Sequence, residues 1–321
     1  MLKFIVRRVL QQIPILIGVS ILLFAIFQLA PGSPLAHLYA RPNMTPEQMA
    51  ALESAYGLDK SPVLQYFDYV LNLLKGNFGF SIQLKQPVAS LIAERMWPTF
   101  YIAFVSLILS VIIAIPVGII SATKQYSVFD YGGTLFALMG ISVPAFFFAL
   151  LLKKWFAIDL QWFPLSGFAT PAANYPFPQN LIDIARHTFL PLMLLALTGA
   201  GGLMRYTRSS MLEVVRQDYI RTARAKGLKE RVVIYRHALR NALIPVITIL
   251  GLSLPGLFSG ALITEILFVL PGMGKMSYQA VLQRDYPLMM GLNLFLAIFT
   301  LLGNLLADIS YAIVDPRIRL D

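Results

Sequence analysis

This chain contains six long stretches that carry no charged residue and are mostly apolar. They cover residues 9–30, 99–123, 131–152, 188–204, 241–264 and 286–307, and the last one continues past Asp308 to residue 314. Because a helix rises about 1.5 Å per residue, about 20 apolar residues cross the roughly 30 Å hydrocarbon core of a bilayer. Only 13% of the residues are charged, which is about half the share in soluble proteins. The sequence therefore predicts an all-α integral membrane protein with six transmembrane helices.

Positive charge is concentrated in residues 205–240, a polar stretch between the fourth and fifth apolar stretches. It holds ten of the 26 Lys and Arg residues and three of the 16 Asp and Glu residues. Basic residues beside spans resist translocation, so this stretch is predicted on the cytoplasmic side. Six crossings then leave both termini in the cytoplasm, in agreement with the basic residues that flank the first and last spans: Lys3, Arg7, Arg8, Arg317 and Arg319. The net charge of +10 thus reflects membrane topology, and no nucleic-acid partner is expected.

The first apolar stretch and the polar segment after it predict a distinct N-terminal part. This stretch has 22 residues, more than the roughly 7–15 of a cleaved signal peptide, so we expect a retained helix. The long segment after it is predicted to lie outside, and Thr45, Pro46 and Gln48 there predict the start of a capped helix. We divide the chain into a first helix with its external segment, a core of five transmembrane helices and a cytoplasmic tail, at residues 1–94, 95–314 and 315–321.

The basic stretch also carries a helical pattern. Ile220, Ala223 and Gly227 lie at i, i+3 and i+7, while Arg221 and Arg224 lie off that side of the helix. A short helix with a small-residue face can bring its backbone close to another protein. We therefore expect this face to press against a partner.

The sequence DYIRTARAKGL at residues 218–228, followed by HALRNALIP at 237–245, resembles the coupling-helix signature of importer-type ABC permeases of the dipeptide and oligopeptide subfamily. That signature pairs a Glu-Ala-Ala group with a downstream Gly and an Ile-x-Leu-Pro group. Here Arg221 takes the Glu position and Gly227 the Gly position, whereas Arg240 replaces the final proline. These departures resemble the peptide-permease version, and they leave the glutamate of the signature without an equivalent.

The resemblance, which also covers residues 56–92, implies a function. The chain would be the permease subunit of an ATP-driven importer in a bacterial or archaeal cell membrane, forming the translocation path for dipeptides or oligopeptides. ATP hydrolysis would belong to a separate subunit. The implied partners are a second homologous permease, two cytoplasmic ATPases and an extracytoplasmic solute-binding protein. The residues implied to contact the ATPase are Asp218, Tyr219, Arg221, Thr222, Ala223, Ala225, Gly227 and Leu228.

The cargo is less well defined than the role. Permeases for nickel complexes or glutathione resemble peptide permeases at this level, because the binding protein often selects the cargo. The same role for these substrates is therefore an alternative.

No catalytic, metal or cofactor chemistry is predicted for the chain itself. GMGKMS at residues 272–277 is similar to a phosphate-binding loop, but Val269 occupies a required glycine position and Met276 follows the lysine in place of Ser or Thr. The chain has no cysteine. Its three histidines are too scattered for a metal cluster, at His37, His187 and His237.

Two other classes of function compete with this interpretation. An ion-coupled secondary transporter or an intramembrane enzyme needs ionisable or catalytic side chains within the bilayer. The chain offers only Asp308, near the predicted inner end of the last stretch, and Glu265, just beyond the outer end of the fifth. Glu265 is a candidate for contact with the substrate or the binding protein. Pro116 and Pro144, inside the second and third stretches, are either hinges or packing kinks.

Overall fold

The computed structural model describes residues 2–30, 35, 39, 44–173 and 175–314, with side chains described from residue 6 to residue 306. In this part of the chain every regular element is a helix, and the extended pairing is limited to an isolated bridge between Phe80 and Pro87. The prediction of an all-α fold is confirmed. The predicted tail, residues 315–321, lies outside the described residues, as do His37 and the side chain of Asp308.

Thirteen helical segments follow one another along the described chain. They are α1 Leu2–Leu29, α2 Pro46–Ala55, α3 Pro62–Leu74, α4 Val88–Thr123, α5 Val128–Ser142, α6 Ala145–Asp159, α7 Gln179–Val215, α8 Asp218–Ala225, α9 Glu230–Ala242, α10 Ile244–Phe258, α11 Leu262–Leu267, α12 Met273–Gln283 and α13 Tyr286–Val314. Segments α6 and α9 each include a π-helical turn, and α10 ends in a 3₁₀ turn.

Four of these helices are long and apolar enough to cross a membrane singly, namely α1, α4, α7 and α13. Two further spans are formed by bent pairs, α5 with α6 and α9 with α10, when each pair is counted as one. The total then equals the predicted six. A spanning helix is favoured in lipid because it satisfies its backbone hydrogen-bonding groups internally. Helix α4 continues through Pro116 without a break.

The third apolar stretch is broken at Pro144. Helix α5 ends at Ser142, and Val143 has an extended backbone with φ −77° and ψ 123°, as the residue before a proline favours. Helix α6 then leaves at 107° to α5. Leu152 on α6 is buried in a cluster with side chains of α7 and α11, which holds α6 in this direction. The predicted single helix over residues 131–152 is therefore two helices.

Two helices extend beyond the apolar stretches that predicted them. Helix α4 begins at Val88, ahead of residue 99, and α7 covers Gln179–Val215 around the short apolar stretch 188–204. The polar ends remain helical because each added residue gains one backbone hydrogen bond once a helix is formed. The boundary that we place between residues 94 and 95 falls inside α4, and the three-part division remains a prediction.

The segment between α1 and α4 contains the predicted capped helix. The Thr45 hydroxyl accepts a hydrogen bond from the Gln48 N–H at 3.3 Å, and Gln48 Oε1 accepts one from the Thr45 N–H at 3.1 Å. This reciprocal pair is a capping box. Farther along the segment, the Ser81 hydroxyl and the Gln83 N–H donate to the buried carboxylate of Asp285. Asp285 thereby ties the segment to the start of α13.

Helix α7 packs against both α4 and α5. The Ser110 hydroxyl on α4 donates to the Ala196 carbonyl oxygen on α7 at 2.9 Å. Helix α5 approaches α7 so closely that a Cβ atom on Gly201 would lie 2.9 Å from the Ala137 carbonyl oxygen. A Cβ atom on Gly202 would meet open space. The crossing therefore requires glycine at position 201 and not at position 202.

Substitution of these two glycines tests the crossing of α5 and α7. We expect Gly201→Ala to lower the thermal unfolding midpoint of the detergent-solubilised protein, because overpacking costs about 1–3 kcal/mol. Gly202→Ala is the matched control. It should leave the midpoint unchanged or raise it, because alanine is favoured over glycine in a helix by about 1 kcal/mol. Equal effects of the two substitutions would contradict the described crossing.

Candidate functional site

The short helix α8 lies at the end of the molecule where α4 and α7 end and where the basic stretch 205–240 lies. We call this the basic end. Gln217 precedes α8 in an extended conformation with ψ 151°, which turns the chain out of α7. Asp218 lies in the first turn of α8 and Arg224 in the last. Their charges match the positive and negative ends of the helix dipole.

One face of α8 is buried in the rest of the chain. Ile220 is fully buried and Ala223 is 7% exposed. Both belong to one apolar cluster with α4, α7 and α9, whose other buried members are Ile119, Ala122, Met211, Val233, Ile234, Ala238 and Ala242. Because burial of apolar area stabilises such contacts by about 25 cal/mol per Å², this face anchors α8 to the ends of two spans.

The contact of the Ile220, Ala223 and Gly227 face with a partner stays a prediction, and two of its residues pack within this chain. Ile220 and Ala223 face the protein's own helices, because helical spacing defines a face without saying what covers it. Gly227 lies beyond the end of α8 with φ +77°, and a Cβ atom there would meet nothing within 4 Å. Its N–H donates to the Arg224 carbonyl oxygen at 2.9 Å. Glycine is required here by the left-handed turn that ends the helix.

The opposite face of α8 is exposed. It consists of residues that the sequence marked as contacts, namely Asp218, Tyr219, Arg221, Thr222 and Ala225, and Leu228 beyond the turn is exposed too. Tyr219 and Leu228 are large apolar residues with 42% and 41% of their surface exposed. The Tyr219 hydroxyl accepts a hydrogen bond from Asn241 Nδ2 at 2.7 Å, which fixes its ring against α9. This face thus carries two exposed, mainly apolar side chains among charged ones.

An ion pair fixes the turn after α8. Arg224 Nη2 and Nε donate to the two carboxylate oxygens of Glu230 at 2.7 and 3.1 Å. This two-bond geometry joins the end of α8 to the start of α9 and is more directional than a single contact. The exposed loop between them therefore has a defined path.

Glu265, the candidate contact at the other end of the spans, is 3% exposed. Its carboxylate accepts hydrogen bonds from the Thr99 hydroxyl at 3.2 Å and from the Lys275 N–H at 2.7 Å. A Cβ atom on Gly272 would lie 2.1 Å from Glu265 Cδ, so glycine makes room for the carboxylate. Burial raises the pKa of Glu265 above its usual value. In this structure Glu265 joins α4, α11 and α12, and its contact with substrate or binding protein stays a prediction.

The same interaction bears on the GMGKMS sequence, residues 272–277. This sequence forms the start of α12, where backbone N–H groups could receive a phosphate. The Lys275 N–H, however, donates to the Glu265 carboxylate. A buried carboxylate therefore occupies the place that an anion would need. Among the described residues, no group of three or more His, Cys, Asp or Glu side chains could hold a metal ion.

The sequence analysis missed one buried ion pair at the basic end. The Asp130 carboxylate on α5 accepts hydrogen bonds from Arg208 Nε at 2.7 Å and Arg208 Nη2 at 2.9 Å. It also accepts from the Ser121 hydroxyl and from the Tyr126 N–H. Asp130 lies in the first turn of α5, after a four-residue loop, and the sequence analysis used Arg208 only as part of the positive charge that predicts topology. Their separation of 78 residues hides the pairing from any local pattern.

The spans, together with a short helix that is anchored on one face and exposed on the other, define a multi-pass integral membrane protein of the permease type. The chain belongs to the family of binding-protein-dependent transport system inner membrane components. The profile of this family matches residues 114–320, and the profile of its N-terminal part matches residues 1–103.

Two relatives match nearly the whole chain. It is 44% identical over 320 residues to the oligopeptide transport system permease protein AppB of Bacillus subtilis (strain 168), covering 99% of this chain and 100% of the relative. It is 37% identical over 336 residues to the dipeptide transport system permease protein DppB of Escherichia coli (strain K12), covering 99% of each.

A solved structure supports the fold independently. A chain of the MetNI methionine ABC transporter in an inward-facing conformation is similar with a TM-score of 0.54 at 17% identity, covering 70% of this chain and 96% of that chain. This likeness concerns the fold alone. It confirms the prediction of an importer-type transmembrane domain.

Single cysteines test which face of α8 is free. The natural chain has no cysteine, so Ala225→Cys and Ala223→Cys each introduce one thiol on α8, two residues apart. We expect a maleimide reagent to label position 225 of the folded, solubilised protein much faster than position 223, because Ala225 is exposed and Ala223 is buried. Faster labelling at position 223 would contradict the described orientation of α8.

Proposed function

We propose that this chain is the permease subunit of an ATP-driven importer and forms the translocation path for dipeptides or oligopeptides. ATP is hydrolysed by a separate ATPase subunit that contacts α8. The observation that carries the proposal is the two-sided character of α8: its inner face is anchored on the ends of α4 and α7, and its outer face is exposed. A helix anchored in this way can pass a displacement from a partner to the spans.

The predicted contact residues divide into two groups on this proposal. Asp218, Tyr219, Arg221, Thr222, Ala225 and Leu228 contact the ATPase directly, because they are exposed. Ala223 and Gly227 act indirectly. Ala223 anchors α8 on the spans, and Gly227 provides the turn that leads the chain back to α9.

Transport then follows from a two-state movement. When ATP binds, the two ATPase subunits close and displace the α8 helices that they hold. The displacement passes through Ile220 and Ala223 to the ends of α4 and α7. ATP shifts the equilibrium between inward and outward access only to the extent that it binds one state more tightly than the other.

The other partners follow from the two ends of the molecule. A second homologous permease completes the path, and an extracytoplasmic solute-binding protein docks at the end that carries Glu265. The basic stretch supports a cytoplasmic position for α8 and both termini, and the membrane is that of a bacterial or archaeal cell. The division into an N-terminal part and a core is retained, although the two family profiles meet between residues 103 and 114 rather than at 94.

The relatives' names favour peptides over nickel complexes or glutathione as the cargo. One relative is named an oligopeptide permease and another a dipeptide permease, and each matches nearly the whole chain. An ion-coupled secondary transporter is the alternative of another class. It is disfavoured because no carboxylate of the described spans other than Asp130 is buried, and that one is paired with Arg208.

Uptake by the reconstituted complex tests the proposal. We expect proteoliposomes that contain this chain, its partner permease and the ATPase subunits to accumulate labelled peptide when the binding protein and lumenal ATP are present. Accumulation should persist with a protonophore and a sodium ionophore, because ATP and not an ion gradient drives it. Uptake that is abolished by the ionophores and does not depend on ATP would establish the secondary transporter instead.

A bulky residue on α8 makes this experiment specific. Ala225→Trp should weaken binding of the ATPase subunit by about tenfold or more, equivalent to about 1.4 kcal/mol, and reduce uptake with it. Ala25→Trp is the matched control, since Ala25 is exposed on α1, away from the basic stretch. Normal binding and uptake with Ala225→Trp would contradict the assignment of α8.

A further inference from the structure

Among the ion pairs of the described residues, that of Asp130 and Arg208 has the most buried carboxylate, and its hydrogen-bonding capacity is filled. Asp130 is 3% exposed, and its two carboxylate oxygens accept four hydrogen bonds, from the side chains of Arg208 and Ser121 and the N–H of Tyr126. We call this set the Asp130–Arg208 clamp. The other acidic partners of side-chain ion pairs are more exposed, the next least being Asp183 at 15%.

The clamp joins three spans at one point. Ser121 belongs to α4, Asp130 to α5 and Arg208 to α7. A buried charge of this kind is costly unless its hydrogen-bonding capacity is filled, and here it is. Its contribution is therefore geometric, since the pairing requires the three helix ends to keep one arrangement.

The clamp lies beside the surface that anchors α8. In α4, Ser121 of the clamp precedes Ala122, which packs against α8, and in α7, Arg208 lies one turn before Met211, which does the same. A displacement of Ile220 thus reaches α4 and α7 next to the groups that hold α5. No described side chain of α5 belongs to the cluster around α8.

Helix α5 depends on the clamp at this end. Of its 15 residues, only Asp130, Gly133 and Ala137 are buried. Its large apolar side chains at the basic end are exposed, including Val128 at 90%, Phe129 at 61% and Tyr131 at 65%. Packing alone therefore leaves the first turn of α5 weakly attached to its neighbours.

We propose that Asp130 and Arg208 are positioning residues for energy coupling, which make α5 move as one body with α4 and α7 when α8 is displaced. The inference rests on the proposed function, because it needs a partner that displaces α8. Without the clamp, α4 and α7 still follow α8, but the first turn of α5 does not. ATP hydrolysis then continues with less peptide moved for each ATP.

The test is the number of peptides transported for each ATP hydrolysed, in the reconstituted complex. We expect Asp130→Asn, and the double variant Asp130→Asn with Arg208→Gln, to lower this ratio by about twofold to thirtyfold. Asp130→Asn alone leaves the Arg208 charge without its partner and could misfold for that reason. The double variant removes both charges and therefore controls for this effect. Arg208→Lys keeps the charge but loses the two-bond geometry, and it should lower the ratio too.

The matched control is another ion pair of the same length. Lys154 and Asp159 are joined at 2.7 Å and are both well exposed, and Asp159→Asn should leave the ratio unchanged. Unfolding midpoint and ATPase-subunit binding are measured for every variant. An unchanged ratio in well-folded, fully assembled clamp variants would overturn the inference.

Two further observations keep the outcomes distinct. If the natural chain does not bind the ATPase subunit, the proposed function fails, whatever the clamp variants do. If the clamp variants do not assemble, spin labels on the chain with its clamp intact decide, at Tyr131 in the first turn of α5 and at Tyr206 of α7, both of which are exposed. Their separation should stay constant between the ATP-bound and ATP-free complexes, and a change in separation would overturn the inference.

Discussion

The packing of one short helix against the ends of two spans is the contact on which the rest of this structure depends. Ile220 and Ala223 of α8 are buried among side chains of α4, α7 and α9, so α8 cannot move without moving the spans or breaking an apolar cluster. The charged ends of α8 and the Arg224–Glu230 pair fix its path without covering its outer face. A helix that is exposed on one face and anchored on the other can transmit a displacement from a separate subunit to the spans.

The two ends of the molecule use buried carboxylates in different ways. At the basic end, Asp130 pairs with a charged side chain from another helix. At the opposite end, Glu265 and Asp285 accept hydrogen bonds from backbone N–H groups and hydroxyls, which fold α11, α12 and the segment before α4 into a cap on the spans. Ion pairing across helices ties the movements of spans together, whereas capping by backbone groups fixes a local shape. The difference agrees with the different functions that we propose for the two ends.

Features that depend on neighbouring residues could be predicted from the sequence. Uncharged stretches predicted the spans, and Thr45 with Gln48 predicted a capping box, because both follow from neighbouring residues. Pro144 was recognised as a special position, but its effect, a 107° break, is set by packing of α6 against α7 and α11. The packing of Ala223 against the chain's own helices could not be predicted, since periodicity cannot tell an inner face from an outer one. The pairing of Asp130 with Arg208 was out of reach because 78 residues separate them.

Hydrogen exchange on the permease, alone and in complex with its ATPase subunit, tests the central claim most directly. Exchange reports opening of backbone hydrogen bonds locally and can be resolved along the chain. The account predicts that complex formation slows exchange in residues 218–228 and leaves α2, at the other end of the spans, unchanged. Slower exchange elsewhere with no effect in residues 218–228 would contradict it.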